Sequence, residues 1–177
     1  MSGHNKWSQI KEKKGKEDAK KSKLFSMYAR QITIESKQAK GDRSLPGLRA
    51  AIDRSKAVNM PNDVIDRAVA KGAGAGAESF EEVMYECFGP GGVAIIIEGI
   101  TDNKNRTTPE IKHLLSQFGG SLGTQGSAAW AFAKNNEGAY VPNAVIPLSD
   151  EDLEKLSSLV EKLEDHDDIK NVYTNAE

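Results

Sequence analysis

The stretch KGAGAGAES, residues 71–79, divides the chain into two halves of different character. Alternating glycine and alanine are typical of a flexible connection, because these residues leave the backbone free and contribute little to a core. The net charge changes sign at the same place. Residues 1–76 hold 17 of the 24 Lys+Arg and 8 of the 26 Asp+Glu, a net of +9, whereas residues 77–177 hold the remaining 7 bases and 18 acids, a net of −11. We therefore expect two domains, residues 1–76 and 77–177.

The residues before this connection predict a small helical bundle. Apolar side chains recur at three- and four-residue spacing over about residues 16–40, which indicates a first helix. A second helix is expected over residues 46–58, where a proline suits the first turn. A third is expected over residues 61–72, with Gly72 as its left-handed stop. Three helices joined by short connections form a three-helix bundle.

The residues after the connection predict a different architecture. Two apolar runs, residues 83–88 and 93–100, flank the turn GPGG, a pattern that favours a β-hairpin. A helix, a strand, a helix and a strand are then expected at residues 104–118, 127–133, 149–164 and 168–175. This order predicts helices against one face of a mostly antiparallel sheet, an α+β sandwich. The fold class expected for the whole chain is α+β.

The composition excludes several classes of protein. The longest apolar run, residues 93–97, is far shorter than the roughly 20 residues of a membrane-spanning helix, so no membrane partner is expected. No secretory signal is visible, and Glu12, Glu17 and Asp18 interrupt the basic stretch that an organellar presequence needs. A single cysteine, Cys87, excludes an internal disulfide and is typical of a reducing compartment. We expect a cytoplasmic protein.

The sequence contains no recognisable catalytic or metal-binding pattern. No nucleophile–base pair, carboxylate dyad or phosphate-binding loop occurs at a familiar spacing. His4, His113 and His166 are far apart in sequence and form no ligand-spaced set with Cys87. We therefore expect no enzymatic activity, no metal, no cofactor and no small-molecule substrate.

The basic half contains most of the candidate binding residues. Lysine binds phosphate as a point charge, and an aromatic ring can stack on a base. The expected nucleic-acid contacts in this half are Lys6, Trp7, Lys11, Lys13, Lys14, Lys16, Lys20, Lys21, Lys23, Arg30, Arg49, Arg54 and Lys56. The alternative interpretation is that the lysines form a solvated face and that Trp7 packs on the bundle. Both interpretations are compatible with the sequence.

A polar loop in the second half adds two candidates, Asn103 and Arg106. They precede or begin an expected helix, whose N-terminus favours a phosphate. The alternative is that Asp102 and Asn103 only cap that helix. No helix carries a run of base-reading Arg, Asn and Gln side chains, so we expect phosphate- and shape-directed binding rather than strict sequence readout.

Five short blocks of sequence occur in an order typical of one known family. They are GHNKW (3–7), YECFGPGG (85–92), DNKNRT (102–107), GSLGTQGS (120–127) and DDIKNVYTN (167–175). Because these blocks span nearly the whole chain, the chain is similar to members of the YebC/PmpR family. The resemblance implies a helical N-terminal domain and two α+β domains, one inserted within the other. Here residues 134–146 form only a short connector at the point of insertion, so the inserted domain is expected to be absent.

The resemblance also implies a function in gene expression. Bacterial families of this kind are described as DNA-binding transcriptional regulators, whereas other relatives in bacteria and mitochondria resemble translation factors. We expect a DNA-binding transcriptional regulator that uses a Lys-rich N-terminal arm, residues 4–23. The alternative is a ribosome-associated translation factor that binds ribosomal or transfer RNA. A protein-interaction module that works through the acidic helix expected at residues 149–164 is a third hypothesis.

Overall fold

The computed structural model describes Trp7, residues 17–74 and residues 79–177. Five of the predicted phosphate contacts lie outside these residues: Lys6, Lys11, Lys13, Lys14 and Lys16. None of the helices formed by the described residues is long and apolar enough to cross a membrane.

The described residues form two compact units, each assembled from separate segments of the chain. A helical unit contains residues 17–74 together with the short segments 79–82 and 100–104. An α+β unit contains residues 83–99 and 105–177 together with Trp7. The division expected at residues 76 and 77 remains a prediction, because short segments on both sides of it belong to the other unit.

The helical unit consists of α1 (Glu17–Ala39), α2 (Pro46–Ala57) and α3 (Asn62–Ala73). The predicted three-helix bundle is therefore confirmed. A proline begins α2, where its fixed φ suits the first turn. Isolated helices as short as α2 and α3, with 12 residues each, are marginal in water, so their stability depends on burying their apolar stripes against α1. The buried apolar side chains of this core are Ile32, Ala39, Leu48, Ala51, Ile52, Met60, Ile65, Ala68 and Val69.

Gly72 has a different role from the left-handed stop that the sequence predicted. α3 continues one residue past it, and the chain leaves the helix at Gly74 in an extended conformation. A Cβ atom at Gly72 would collide with the carbonyl oxygen of Thr33 and would lie 2.7 Å from the Cβ of Ser36. The Ser36 hydroxyl donates to the carbonyl oxygen of Val69 over 2.7 Å. Gly72 therefore allows the backbones of α1 and α3 to approach closely.

The α+β unit is built on a four-stranded sheet. β1 (Glu81–Phe88) and β2 (Ala94–Thr101) form the predicted hairpin, and the turn between them bends at Gly91, whose φ is 68°. β3 (Ser121–Leu122) is antiparallel to β1, and β6 (Ile169–Thr174) is antiparallel to β2. This is the mostly antiparallel sheet that the pattern of the sequence predicted.

Two helices cover one face of the sheet, α4 (Lys104–Gln117) and α5 (Asp150–Asp165). Ser149 caps α5, because its hydroxyl oxygen accepts the backbone N–H of Asp152 over 3.1 Å. The core on this face includes the fully buried side chains Cys87, Val93, Ile95, Ile97, Ile111, Leu115, Leu156, Leu159, Leu163 and Ile169. The other face of β2 packs against a second cluster around Ala128, Ala131 and Phe132. The predicted α+β class is confirmed.

The strand expected at residues 127–133 is largely replaced by a turn. Ala129–Ala131 form a 3₁₀ turn, and only β4 (Phe132–Lys134) is extended, paired with β5 (Tyr140–Pro142) in a separate two-stranded sheet. A strand needs its backbone N–H groups for a ladder of hydrogen bonds. Here the N–H groups of Gly126, Ala128 and Ala129 donate to the side chain of Glu86 instead. This part of the prediction was wrong for that reason.

Candidate nucleic-acid interface

The first turns of α1 carry the described end of the basic N-terminal stretch. Lys20 and Lys21 are exposed, and Lys23 is half-buried. The Lys21 Nζ atom lies 5.7 Å from the centre of the Phe25 ring, a distance typical of a cation–π contact. These lysines extend the basic stretch onto the surface of the helical unit.

α2 presents three further candidates, Arg49, Arg54 and Lys56, and all three are exposed. Arg49 and Lys56 are seven residues apart, so at 3.6 residues per turn they lie on the same flank of the helix. Arg54 lies on the other flank, beyond the buried stripe. Within the described part of the chain, none of the three side chains makes an ion pair or a hydrogen bond. The structure therefore brings Arg49 and Lys56 together and separates Arg54 from them.

Arg30 contributes to the fold of the helical unit itself. Its Nη1 donates to the carbonyl oxygen of Ile100 over 2.7 Å, and its guanidinium lies 5.4 Å from the centre of the Phe80 ring. The Nζ of Lys71 lies at the same distance from that ring. Because its guanidinium is engaged in these internal contacts, Arg30 is a weaker candidate for a phosphate contact than the exposed bases of α2.

Trp7 is not available for stacking on a base. Its side chain is only 8% exposed and belongs to the core of the α+β unit. A base can stack only on an open ring face, so the predicted role of Trp7 is corrected to that of a core residue. The alternative that Trp7 packs on the helical bundle is also wrong, because the indole lies among residues of the sheet and of α4 and α5.

Arg106 is paired with a buried carboxylate. Its Nη2 lies 2.7 Å from Oδ2 of Asp168, a side chain that is only 2% exposed, and the Thr107 hydroxyl donates to the same oxygen over 2.7 Å. Burial of a carboxylate without such partners costs free energy. Arg106 therefore stabilises the fold by pairing with Asp168. Asn103 is exposed in the loop before α4, and its backbone N–H donates to Oγ1 of Thr101 over 2.9 Å. The loop is thus ordered by internal hydrogen bonds.

Three potential metal ligands lie close together in the α+β unit, although their spacing in the sequence did not indicate it. The ligand atoms of Glu110, His166 and Asp168 lie within 4.8 Å of one another. His166 Nε2 lies 3.0 Å from Oε2 of Glu110, and the carboxylate of Asp168 is paired with Arg106. Because both carboxylates already have partners, the group is best explained as a polar network that links α4 to the residues before β6.

A second buried carboxylate belongs to Glu86 on β1, a residue that was not among the predicted site residues. The side chain is 5% exposed; its Oε1 accepts the N–H of Gly126 over 2.7 Å, and its Oε2 accepts those of Ala128 and Ala129 over 2.8 and 2.7 Å. Burial acts to raise the pKa of Glu86, but the three N–H donors outweigh burial and lower that pKa below its usual value of 4.5. The ionised carboxylate therefore fixes residues 126–129. Its only sequence signal is an acid among the otherwise apolar residues 83–88.

The loop that Glu86 holds leads directly to Trp130, a residue of the strand expected at 127–133. Trp130 is 68% exposed, and its Nε1 donates to the carbonyl oxygen of Ser127 over 2.9 Å. Cys87, the residue after Glu86 in β1, has a buried thiol. Burial together with the charge of Glu86 raises the pKa of this thiol to about 12. Cys87 is therefore a neutral core residue at pH 7, whereas Trp130 is presented to solvent.

These features define a class of α+β protein with exposed bases on a helical unit and an acidic sheet-containing unit. A model of the TACO1/YebC protein N-terminal domain matches residues 5–75. A model of the TACO1/YebC second and third domain matches residues 80–137 and 133–176. The chain belongs to the TACO1/YebC family, as the resemblance of its sequence blocks implied.

Relatives of known sequence support this assignment over the whole chain. A protein of Maridesulfovibrio salexigens is 37% identical over 238 residues, which cover 100% of this chain and 96% of the relative. A protein of Petrotoga mobilis is 49% identical over 136 residues, which cover 76% of this chain and 54% of the relative. Each of these relatives is called a "Probable transcriptional regulatory protein".

A solved structure has the same fold. The crystal structure of a conserved hypothetical protein, Aq1575 from Aquifex aeolicus, superimposes with a TM-score of 0.79 at 28% identity. The superposition covers 90% of this chain and 91% of that chain. The fold described above is therefore the fold of the family.

The relatives are longer than this chain. The alignment with the protein of Maridesulfovibrio salexigens runs over 238 positions, whereas this chain has 177 residues, so several tens of its positions have no counterpart here. The second-and-third-domain model matches this chain in two stretches that meet at residues 133–137.

Proposed function

We propose that this chain is a nucleic-acid-binding regulator of gene expression, a DNA-binding transcriptional regulator that uses its Lys-rich N-terminal arm and the exposed bases of α2. The names of its relatives support a regulatory rather than a catalytic function. The observation that carries the proposal is the charge division, with a net of +9 over residues 1–76 and −11 over residues 77–177. Bases that neutralise phosphates release condensed counterions, which favours binding to a polyanion.

The described part of the basic surface is suited to phosphate contact. Arg49, Arg54 and Lys56 are exposed on α2, and none has an ion-pair partner among the described residues. By contrast, Arg43 and Arg67 are paired with Asp66 and Asp63 at 2.7 and 3.0 Å. Bases without an internal partner can bind phosphate without first breaking an ion pair. These three side chains are therefore the best candidates outside the arm.

The test is the salt dependence of binding to duplex DNA. Reversal of Arg49, Arg54 and Lys56 to Glu should weaken binding and reduce the slope of log K against log salt by about 0.9 for each phosphate that is no longer neutralised. The matched control reverses three exposed lysines of the acidic half, Lys112, Lys162 and Lys170, and so changes the net charge equally. Equal effects of the two triple variants would mean that only net charge matters and would contradict the proposed interface.

The proposal has one direct alternative, which concerns the kind of nucleic acid that is bound. In that alternative the chain is a translation factor that binds ribosomal or transfer RNA. Both functions need the same phosphate contacts, so mutation of the bases does not separate them. Crosslinking in cells, followed by sequencing of the attached nucleic acid, distinguishes the two functions. Enrichment of promoter DNA supports the transcriptional regulator, and enrichment of ribosomal or transfer RNA supports the translation factor.

We also propose that the chain is a short form that lacks the inserted domain. The two stretches matched by the second-and-third-domain model meet at residues 133–137, close to the connector at residues 134–146 where the insertion was expected. The extra positions of the aligned relatives support the same interpretation. Insertion of the corresponding segment of a relative at this connector should leave the stability of the α+β unit unchanged, as measured by urea unfolding.

A further inference from the structure

The loop held by Glu86 exposes the side chain of Trp130 to solvent. Among the described residues, Trp130 is the most exposed large apolar side chain, with 68% of its surface open to solvent. The others are Leu24, Leu45, Met84, Val141 and Val145. Trp7, the other tryptophan of the chain, is 8% exposed. An indole usually gains much by burial, so an exposed one on a fixed loop indicates an interaction site.

The loop around Trp130 is fixed rather than loose. Three backbone N–H groups bind the Glu86 carboxylate, and the N–H of Gly123 donates to the carbonyl oxygen of Glu86 over 2.8 Å. Ser127 Oγ closes the loop by donating to the carbonyl oxygen of Thr124 over 2.6 Å. The indole itself is anchored at one edge, by the bond from its Nε1 to Ser127. A ring held by its edge and largely exposed has lost its conformational freedom before a partner binds.

The charge pattern around the loop indicates the chemistry of that partner. Between Lys112 and Lys134 the chain has no Asp, Glu, Lys or Arg, although 28% of all residues are charged. This uncharged stretch lies in a half whose net charge is −11 and which elsewhere repels phosphate. Glu86 is the acid that touches the loop, and its charge is covered by three N–H donors. The loop is therefore a place in the acidic half where a polyanion can approach without meeting a carboxylate of the loop itself.

We propose that Trp130 is a stacking platform for an unpaired base of a single-stranded nucleic acid. This inference rests on the proposed nucleic-acid-binding function. It adds a second contact, on the α+β unit, that distinguishes unpaired bases from paired ones. Every base has a π-face, so stacking on Trp130 requires no particular sequence. Exposed Gly126, whose φ is 84°, leaves the backbone beside the platform uncovered by a side chain. Bases within a duplex are already stacked and do not reach the ring.

The experiment uses the full chain and oligonucleotides of about 12 nucleotides, single-stranded or as a duplex, at low salt. Binding is measured by the anisotropy of a fluorescent label, and stacking by quenching of tryptophan emission. At saturation with the single strand, the exposed and red-shifted part of the emission should be quenched, and Trp130→Phe should remove that part of the signal. Trp130→Ala should weaken single-strand binding about 5- to 150-fold and leave duplex binding unchanged.

Val145→Ala is the matched control, because it trims another exposed apolar side chain of the α+β unit and should leave both affinities unchanged. Single-strand binding at saturation without quenching overturns the inference, and so does an equal loss of single-strand and duplex affinity in Trp130→Ala. Those results leave the proposed function intact, provided that reversal of the α2 bases still weakens binding. Failure of the wild-type chain to bind either oligonucleotide overturns both the inference and the proposed function. Unchanged single-strand affinity of Trp130→Ala also overturns the inference.

Discussion

At the scale of single residues, one carboxylate decides the conformation of a whole loop. Glu86 accepts three backbone N–H groups from a segment about forty residues further along the chain. Glu86→Gln would place an NH₂ group among those donors and leave some of them without an acceptor. We expect the free energy of unfolding at pH 7 to fall by about 1–3 kcal/mol, the usual cost of an unsatisfied buried polar group.

The effect of Glu86 should depend on pH in a defined direction. Because the pKa of Glu86 in the folded chain is below the usual value of 4.5, its contribution is complete above pH 4.5 and is lost as the pH falls through the lower folded-state pKa. Urea unfolding of wild type and Glu86→Gln should therefore converge below pH 4.5. Glu82→Gln, an exposed position of β1, is the control. A difference that did not change with pH would show that the charge is not its source.

Gly72 is a second residue whose effect depends on a close contact. Alanine is favoured over glycine in a helix by roughly 1 kcal/mol, so Gly72→Ala should stabilise α3 if the helix alone mattered. The contact with Thr33 and Ser36 predicts the opposite, a loss of about 1–3 kcal/mol, because backbone cannot move aside easily. Urea unfolding measures the difference. Gly74→Ala is the control, since its Cβ would lie 3.4 Å from the nearest atom. A stabilising Gly72→Ala would contradict the close contact.

At the scale of elements, the sequence predicted those that carry their own signals. α1, α2, α3 and α5 each combine an apolar stripe with recognisable end residues, and β1 and β2 flank a glycine-rich turn. The alternation of Ala128, Trp130 and Phe132 also suggested a strand with these three side chains on one buried face, but Trp130 is 68% exposed whereas Ala128 and Phe132 are buried. What decides between the two is Glu86, which is distant in sequence. Such contacts are not visible in a local pattern.

The candidate site follows the same rule. Exposure of Arg49, Arg54 and Lys56 could be predicted, because they lie outside the apolar stripe of α2. The burial of Trp7 and the pairing of Arg106 with a carboxylate could not, because each depends on residues far along the chain. Local periodicity therefore identifies which side chains face water, whereas only the fold identifies which of those are already engaged.

The link between α4 and the residues before β6 gives the prediction at this scale. Arg106→Ala leaves the buried Asp168 with one partner fewer, and we expect a loss of about 1–3 kcal/mol in the free energy of unfolding. A double-mutant cycle with Asp168→Asn measures the coupling, and Lys104→Ala on the exposed start of α4 is the control. Unchanged stability together with weaker DNA binding would return Arg106 to the set of phosphate contacts.

At the scale of the whole molecule, chain order and structural units do not coincide. Residue 7 falls within the stretch matched by the N-terminal domain model, residues 5–75, yet its side chain completes the core formed by residues of the sheet, α4 and α5. The charge division, by contrast, follows chain order. Trp7, a residue of the basic half in chain order, therefore belongs to the core of the acidic unit.

Trp7→Ala tests this arrangement. Removal of a buried tryptophan typically costs about 3–5 kcal/mol, and the loss should appear in the unit whose core contains the ring. Hydrogen exchange followed by mass spectrometry should show faster exchange in β1, β2 and α5, with exchange in α1, α2 and α3 unchanged. Trp130→Ala is the control, because an exposed side chain of the same type should change stability by about 0.5 kcal/mol or less. Faster exchange confined to α1, α2 and α3 would instead assign Trp7 to the helical unit.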